Sequence, residues 1–199
     1  LVNWAALAPL LQPRCRVMAL DLAGFGHTQG GARSTSVHAN QRLLDGFLRQ
    51  VAGTPAILVG NSMGGLISIL QAHDSPGSVA GLVLIDPALP VGPLARPDPR
   101  VVATFAALAI PAVGRRLLAL RRSTSSAEEA ANDILRLCCA DASRVPEHVV
   151  EQHIEVAAQR RDYGDVDAEL LSAARSLLWV LADRARYGAM QRAITAPVL

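Results

Sequence analysis

Ala56-Ile57-Leu58-Val59-Gly60-Asn61-Ser62-Met63-Gly64-Gly65-Leu66-Ile67-Ser68-Ile69-Leu70 decides how this chain folds. The run 56–59 is apolar and bounded by the turn signal Gly53-Thr54-Pro55, so it predicts a buried strand. The segment after Gly65 is again apolar and predicts the start of a buried helix. Between them stands Gly60-Asn61-Ser62-Met63-Gly64, a G-x-S-x-G pattern in strand–turn–helix context. A serine on such a bend presents Oγ above the sheet, away from the backbone. The glycines at 60 and 64 are expected to spare a collision where strand and helix pack closely. Ser62 is therefore the candidate nucleophile for acyl transfer. The competing reading is an ordinary serine in a Gly-rich turn, and the apolar strand and helix on either side weigh against it.

Outward from this stretch, apolar strands alternate with helices. Arg16-Val17-Met18-Ala19-Leu20 predicts a short buried strand ending at Asp21, followed by the Gly-rich loop Leu22-Ala23-Gly24-Phe25-Gly26-His27-Thr28. Residues 37–51 carry a helical apolar period at Leu43, Leu44, Phe47, Leu48 and Val51. Val79 to Ile85 predicts a further strand, ending at Asp86-Pro87. Fully apolar strands separated by helices predict a parallel sheet covered on both faces.

The character changes near residue 88, where Pro90, Pro93, Pro97 and Pro99 crowd a linker. Five helical patterns follow. They run over about 100–109, from Pro111, from a capping box Ser125-x-x-Glu128 to about Cys139, from Pro146 to about Arg160, and from Asp167 to about Arg186. Ile194-Thr195-Ala196-Pro197-Val198-Leu199 predicts the start of another strand. The expected division is thus 1–87 for the first part of the core, 88–192 for a helical insertion and 193–199 for a returning core strand.

Composition narrows the function. Of 199 residues, 51% are apolar and the net charge is +2, so nothing favours nucleic acid as a partner. Every basic residue is an arginine, and the pairs Arg115-Arg116 and Arg121-Arg122 predict a solvated helix face. Cys15, Cys138 and Cys139 are odd in number and lack a C-x-x-C spacing, which predicts reduced, buried thiols and a cytoplasmic protein. No apolar stretch reaches spanning length, no signal peptide is expected, and no metal-ligand spacing or cofactor motif is found. Gly24-Phe25-Gly26 with Gly30 would be a nucleotide loop only if a helix began inside it; polar loop continues to Thr35 instead.

Three motifs in this order resemble the cap-bearing branch of the α/β-hydrolase family: Asp21-Leu22-Ala23-Gly24-Phe25-Gly26-His27-Thr28, Gly60 to Gly65, and Leu82-Val83-Leu84-Ile85-Asp86-Pro87. The resemblance covers essentially the whole chain. It implies an α/β fold, a partial doubly wound, mostly parallel sheet with an inserted all-helical cap. It implies a serine hydrolase acting on an ester, amide or related acyl compound. A carbon–carbon bond hydrolase, an acyltransferase, a haloperoxidase-like relative and a non-catalytic remnant are the alternatives. Ser62 would form the acyl-enzyme and the Met63 backbone N–H would give one oxyanion donor. The Met63 side chain would line the pocket or only pack, and Asn61 would brace the bend or only tolerate it. Asp86 stands where some members carry the triad acid, and is otherwise structural or a reserve acid. His27, His38, His73, His148 and His153 are expected to be structural or solvated. The family's His-Gly oxyanion segment and its usual acid and histidine have no counterpart in these 199 residues, so the sequence resembles an internal fragment that is inactive alone. The implied partner is a small apolar acyl substrate, and no cofactor is implied.

Overall fold

The computed structural model describes residues 2–92 and 99–199. Its sheet is built on β1 (Ala56–Ser62) and β2 (Val79–Pro87), joined in parallel through α3 (Met63–Asp74). A parallel pair needs a crossover of this kind, because the chain must return to the same end of the sheet. Leu58 faces Leu82, Val59 faces Val83, Gly60 faces Leu84 and Asn61 faces Ile85. The register then slips, so that Ser62 faces Pro87 and Asp86 is skipped. Val198 continues the sheet on the far side of β2. Leu82 N–H donates to Pro197 O (2.8 Å), and Leu199 N–H donates to Leu82 O (2.9 Å).

The helix α3 is the hub. Every residue from Gly65 to Ala72 is buried, as its unbroken apolar run requires. It packs on α2 (Val37–Phe47), which Ser36 caps by accepting from Ala39 N–H, and which ends in a wider π-type turn, Leu48–Ala52. Two buried glutamines join these helices. Gln41 Nε2 donates to Gln71 Oε1 (2.8 Å), and Gln71 Nε2 donates to Asp45 Oδ1 and Ser78 Oγ (both 2.9 Å). Full pairing offsets the desolvation that buried amides would otherwise suffer.

After β2 the described chain is helical: α4 (Pro99–Ala109), α5 (Pro111–Thr124), α6 (Ala127–Cys138), α7 (Glu147–Arg161), α8 (Val166–Ala182) and α9 (Arg184–Ala193). These helices share a core with the sheet layer. Leu177 of α8 and Tyr187 and Met190 of α9 close on Val37, Leu66, Ile67, Ile69 and Leu70.

Several expectations are corrected. Residues 16–20 form no strand and pair with no neighbour among the described residues, and Met18 is exposed. A strand is held by its ladder, and no described segment pairs with this one. Within the sheet Leu58 and Leu82 are buried, whereas Ile57 and Ile85, expected to be buried, are exposed. Pro99 opens α4 rather than belonging to the linker, while Pro93 and Pro97 lie outside the described residues. The capping box is Ser126 with Glu129, one residue later than expected. The single helix expected from Asp167 to Arg186 is two, broken where Asp183 accepts from Arg186 N–H (3.0 Å) and caps α9. The cysteines are free but not buried: Cys15 and Cys138 are exposed and Cys139 is half-buried.

Candidate active site

Ser62 is the last residue of β1 and the N-cap of α3, with φ 49° and ψ −119°. A residue other than glycine in this region carries strain of about 1–3 kcal/mol. Only one other non-glycine among the described residues has positive φ: Asp86, at 42°, in the register slip directly opposite. The two strained residues therefore sit side by side at the carboxyl ends of β1 and β2.

The bend is held from three sides. Ala88 N–H donates to Ser62 O (2.9 Å). Asn61 Nδ2 donates to Ile85 O (2.9 Å), which gives Asn61 a bracing contact. Close packing supplies the third restraint. A Cβ on Gly60 would come within 2.7 Å of Gly64 O and Gly65 Cα, and one on Gly65 within 2.7 Å of Pro87 Cβ. The crowded pair is thus Gly60 and Gly65. Gly64, expected to be crowded, would have nothing within 4 Å of an added Cβ.

Met63 is the first residue of α3, so its N–H belongs to the helix-terminal donors without an intrahelical partner. It packs against the core cluster that holds Leu66, Leu177 and Tyr187, as does Phe105 of α4. Tyr187, a residue that sequence reading did not single out, points its hydroxyl at Ala88 O (3.4 Å). Burial pushes the Tyr187 phenol up to about 12, so it stays neutral and able to donate.

The histidines lie elsewhere. His27 Nδ1 is 3.0 Å from Gln159 Oε1, His73 Nδ1 is 2.7 Å from Asp74 Oδ1, and His148 and His153 are on α7. Burial pulls His153 below the ordinary imidazole value. No hydrogen bond joins any of them to Ser62 among the described residues.

A second polar cluster fixes the Gly-rich loop. Arg160 on α7 donates from Nη2 to Gly24 O (2.7 Å) and from Nη1 to Gly26 O (3.0 Å). Glu169 on α8 accepts from Gly30 N–H (2.7 Å), and Thr35 Oγ1 donates to Glu169 O (2.8 Å). Asn40 closes the inner side: it accepts from Ala23 N–H (2.8 Å) and donates to Ala23 O and Thr35 O. His27 N–H donates to Asp21 Oδ2 (3.1 Å). The loop is thereby a fixed connector, with its amides and carbonyls engaged by protein.

Comparison with known proteins agrees with this geometry. A model described as the alpha/beta hydrolase family matches residues 2–198. Monoglyceride lipase of Homo sapiens is 36% identical over 98 residues, which are 47% of this chain and 30% of the lipase. The 2-hydroxy-6-oxo-2,4-heptadienoate hydrolase of Pseudomonas putida is 37% identical over 89 residues, 42% of this chain and 30% of that enzyme. The match thus takes in about a third of the length of these relatives. Among solved structures, Cfl2 from Burkholderia cenocepacia superposes with a TM-score of 0.75 at 19% identity, covering 98% of this chain and 75% of that one. At that identity the likeness is one of fold.

Proposed function

Because the chain belongs to the alpha/beta hydrolase family, we propose that Ser62 is the nucleophile of a serine hydrolase acting on a lipophilic ester. The observation that carries this reading is the strained backbone of Ser62 at the junction of β1 and α3. Strain of this kind persists only where surrounding structure over-determines it, and here the Ala88 bond and the Gly60–Gly65 contact do so.

In this reading Ser62 Oγ attacks the acyl carbon and the Met63 N–H receives charge on the carbonyl oxygen as it develops. The attack needs a base to take the hydroxyl proton. No hydrogen bond joins a histidine to Ser62 among the described residues, and in this reading the base comes from a part of the fold that the relatives, of which the match takes in about 30%, carry beyond the matched stretch. Asp86, in the register slip beside the Ser62–Pro87 pair, is a candidate for an acid within the chain. Residues 88–192 act as a cap over the strand ends. Support comes from Tyr187 at Ala88 and from Phe105 and Met63 sharing one apolar cluster. Such a cover excludes water and shapes an apolar acyl site. The likeness to a lipase and to a heptadienoate hydrolase keeps carbon–carbon bond hydrolysis as the second reading.

The test is covalent labelling with a fluorophosphonate, followed by peptide mass analysis. The protein is expressed with whatever chain flanks these residues in its reading frame. Label on Ser62, lost in Ser62→Ala together with hydrolysis of medium-chain nitrophenyl esters, is the expected result. Unaltered ester hydrolysis in Ser62→Ala would overturn it. These 199 residues expressed alone should show negligible turnover, because a serine triad acts as a unit.

A further inference from the structure

Gly30 lacks a side chain for a reason that lies outside its own loop. Its φ is not positive, unlike those of Gly24, Gly26 and Gly31, so backbone conformation does not call for glycine here. Space does. A Cβ on Gly30 would come within 2.6 Å of Glu169 Oε1 and 2.9 Å of Thr35 Cγ2. Gly24 is crowded by the same two residues: a Cβ there would lie 2.7 Å from Thr35 Cγ2 and 3.2 Å from Glu169 Cβ. The two buried glycines and the buried Thr35 thus form a notch. Glu169 of α8 is seated in it and accepts from Gly30 N–H (2.7 Å).

The seat grips one face of α8. Ser176 stands about 20° from Glu169 around the helix, and it accepts from Val37 N–H (2.9 Å) at the start of α2. Leu171 stands about 200° from Glu169, on the opposite face. It is buried in one cluster with Ala174 and with Leu108 of α4, and Leu118 of α5 packs on that cluster. Gly114 of α5 lies so close that a Cβ would come within 2.5 Å of Leu171 Cδ2. Helix α8 therefore stands between the Gly-rich loop and the pair α4–α5. Helix α4 in turn carries Phe105, which packs on the same core cluster as Met63. A continuous line of packed groups runs from Gly30 through Glu169, Leu171 and Leu108 to Phe105.

We propose that Glu169 is a positioning residue for the candidate site: its seat in the glycine notch fixes α8, and α8 fixes where α4 brings Phe105 onto the cluster that Met63 joins. A carboxylate suits the task, because it gives the buried Gly30 amide a charge-assisted bond. Without it that amide falls to water, and one end of α8 is held by packing alone. That Phe105 and Met63 border an acyl chain rests on the function proposed above; the seating of α8 does not.

Hydrogen–deuterium exchange on the protein with its flanking chain tests this, alongside hydrolysis of nitrophenyl esters from acetyl to decanoyl. In Glu169→Ala, exchange should quicken about tenfold at Gly30, the loss of one charge-assisted bond, and about twofold or more over α4, while α3 stays protected. Gly30→Ala expels the flexible end of Glu169 and should do the same with the carboxylate retained. Glu169→Gln keeps an oxygen for Gly30 N–H and should recover most of the protection. Under the proposed function, KM for the decanoyl ester rises about tenfold in Glu169→Ala while kcat for the acetyl ester holds. Faster exchange confined to residues 24–35 overturns the proposal, since the seat would then be a local fastening. If α3 also loses protection in Glu169→Ala, the same comparison in Gly30→Ala decides. Ser62-dependent hydrolysis with an unchanged chain-length profile in both variants overturns the proposal and leaves the nucleophile standing. Quickened exchange over α4 without any Ser62-dependent hydrolysis supports the seat and overturns the nucleophile instead.

Discussion

Ser62 holds a backbone conformation that glycine would adopt without cost. Ser62→Gly should therefore raise stability by about 1 kcal/mol while abolishing any Ser62-dependent labelling. Urea denaturation midpoints check the first part and fluorophosphonate reactivity the second. The glycines around it divide sharply. Gly60→Ala drives a methyl group into the backbone of Gly64 and Gly65 and should cost more than about 2 kcal/mol, as overpacking against unyielding atoms does. Gly64→Ala meets open space on a helix and should be neutral or stabilising by up to about 1 kcal/mol. The pattern G-x-S-x-G draws attention to Gly64, yet the contact belongs to Gly65. A motif gives positions in sequence. Which Cα faces Pro87 depends on how the helix is rotated about its axis, and the pattern does not encode that.

At the level of elements, apolar runs bounded by Gly or Pro locate β1, α3 and β2, although only α3 is buried over most of its length. They were not enough for residues 16–20, where the composition suits a strand but no partner supplies a ladder. The α8–α9 break is hidden in the sequence because neither glycine nor proline marks it and the leucine period runs up to it. Its one signal is Asp183, a good N-cap residue. The start of α6 offers two overlapping S-x-x-E patterns, and only packing chooses between them. Ser126→Ala should cost about 1 kcal/mol of stability, whereas Ser125→Ala should change it by less than half of that. Thermal melts of the two variants separate the registers. The candidate site shows the same division. Ser62, Met63 and Asp86 were visible in the sequence, while Tyr187, 99 residues from Ala88, was not, because only the fold brings them together.

For the whole molecule, Tyr187 links the packing of α9 to alkaline stability. Its phenol ionises near pH 12 in the folded protein against 10.0 for an unburied tyrosine. The folded state therefore holds this proton more tightly than the unfolded chain. Its contribution is complete below pH 10 and is lost as pH rises through about 12. Circular dichroism followed across that window should show cooperative unfolding in the parent protein. In Tyr187→Phe the pH dependence should be shallower, with a lower starting stability from the lost bond to Ala88. An unchanged alkaline profile would mean that another group governs it.

The bonds from Arg160 to Gly24 and Gly26, and from Glu169 to Gly30, span between 134 and 139 residues. On the ribosome the Gly-rich loop is made early and its clamps are made late. Closing so long a span is slow, so the nascent loop stays unclamped until α7 and α8 have left the exit tunnel. Stalled chains of increasing length should keep the loop open to protease until residue 169 emerges and protect it afterwards. The direction of synthesis thus sets a time at which this connector acquires its shape, and translation speed over the second half of the message becomes a determinant of yield.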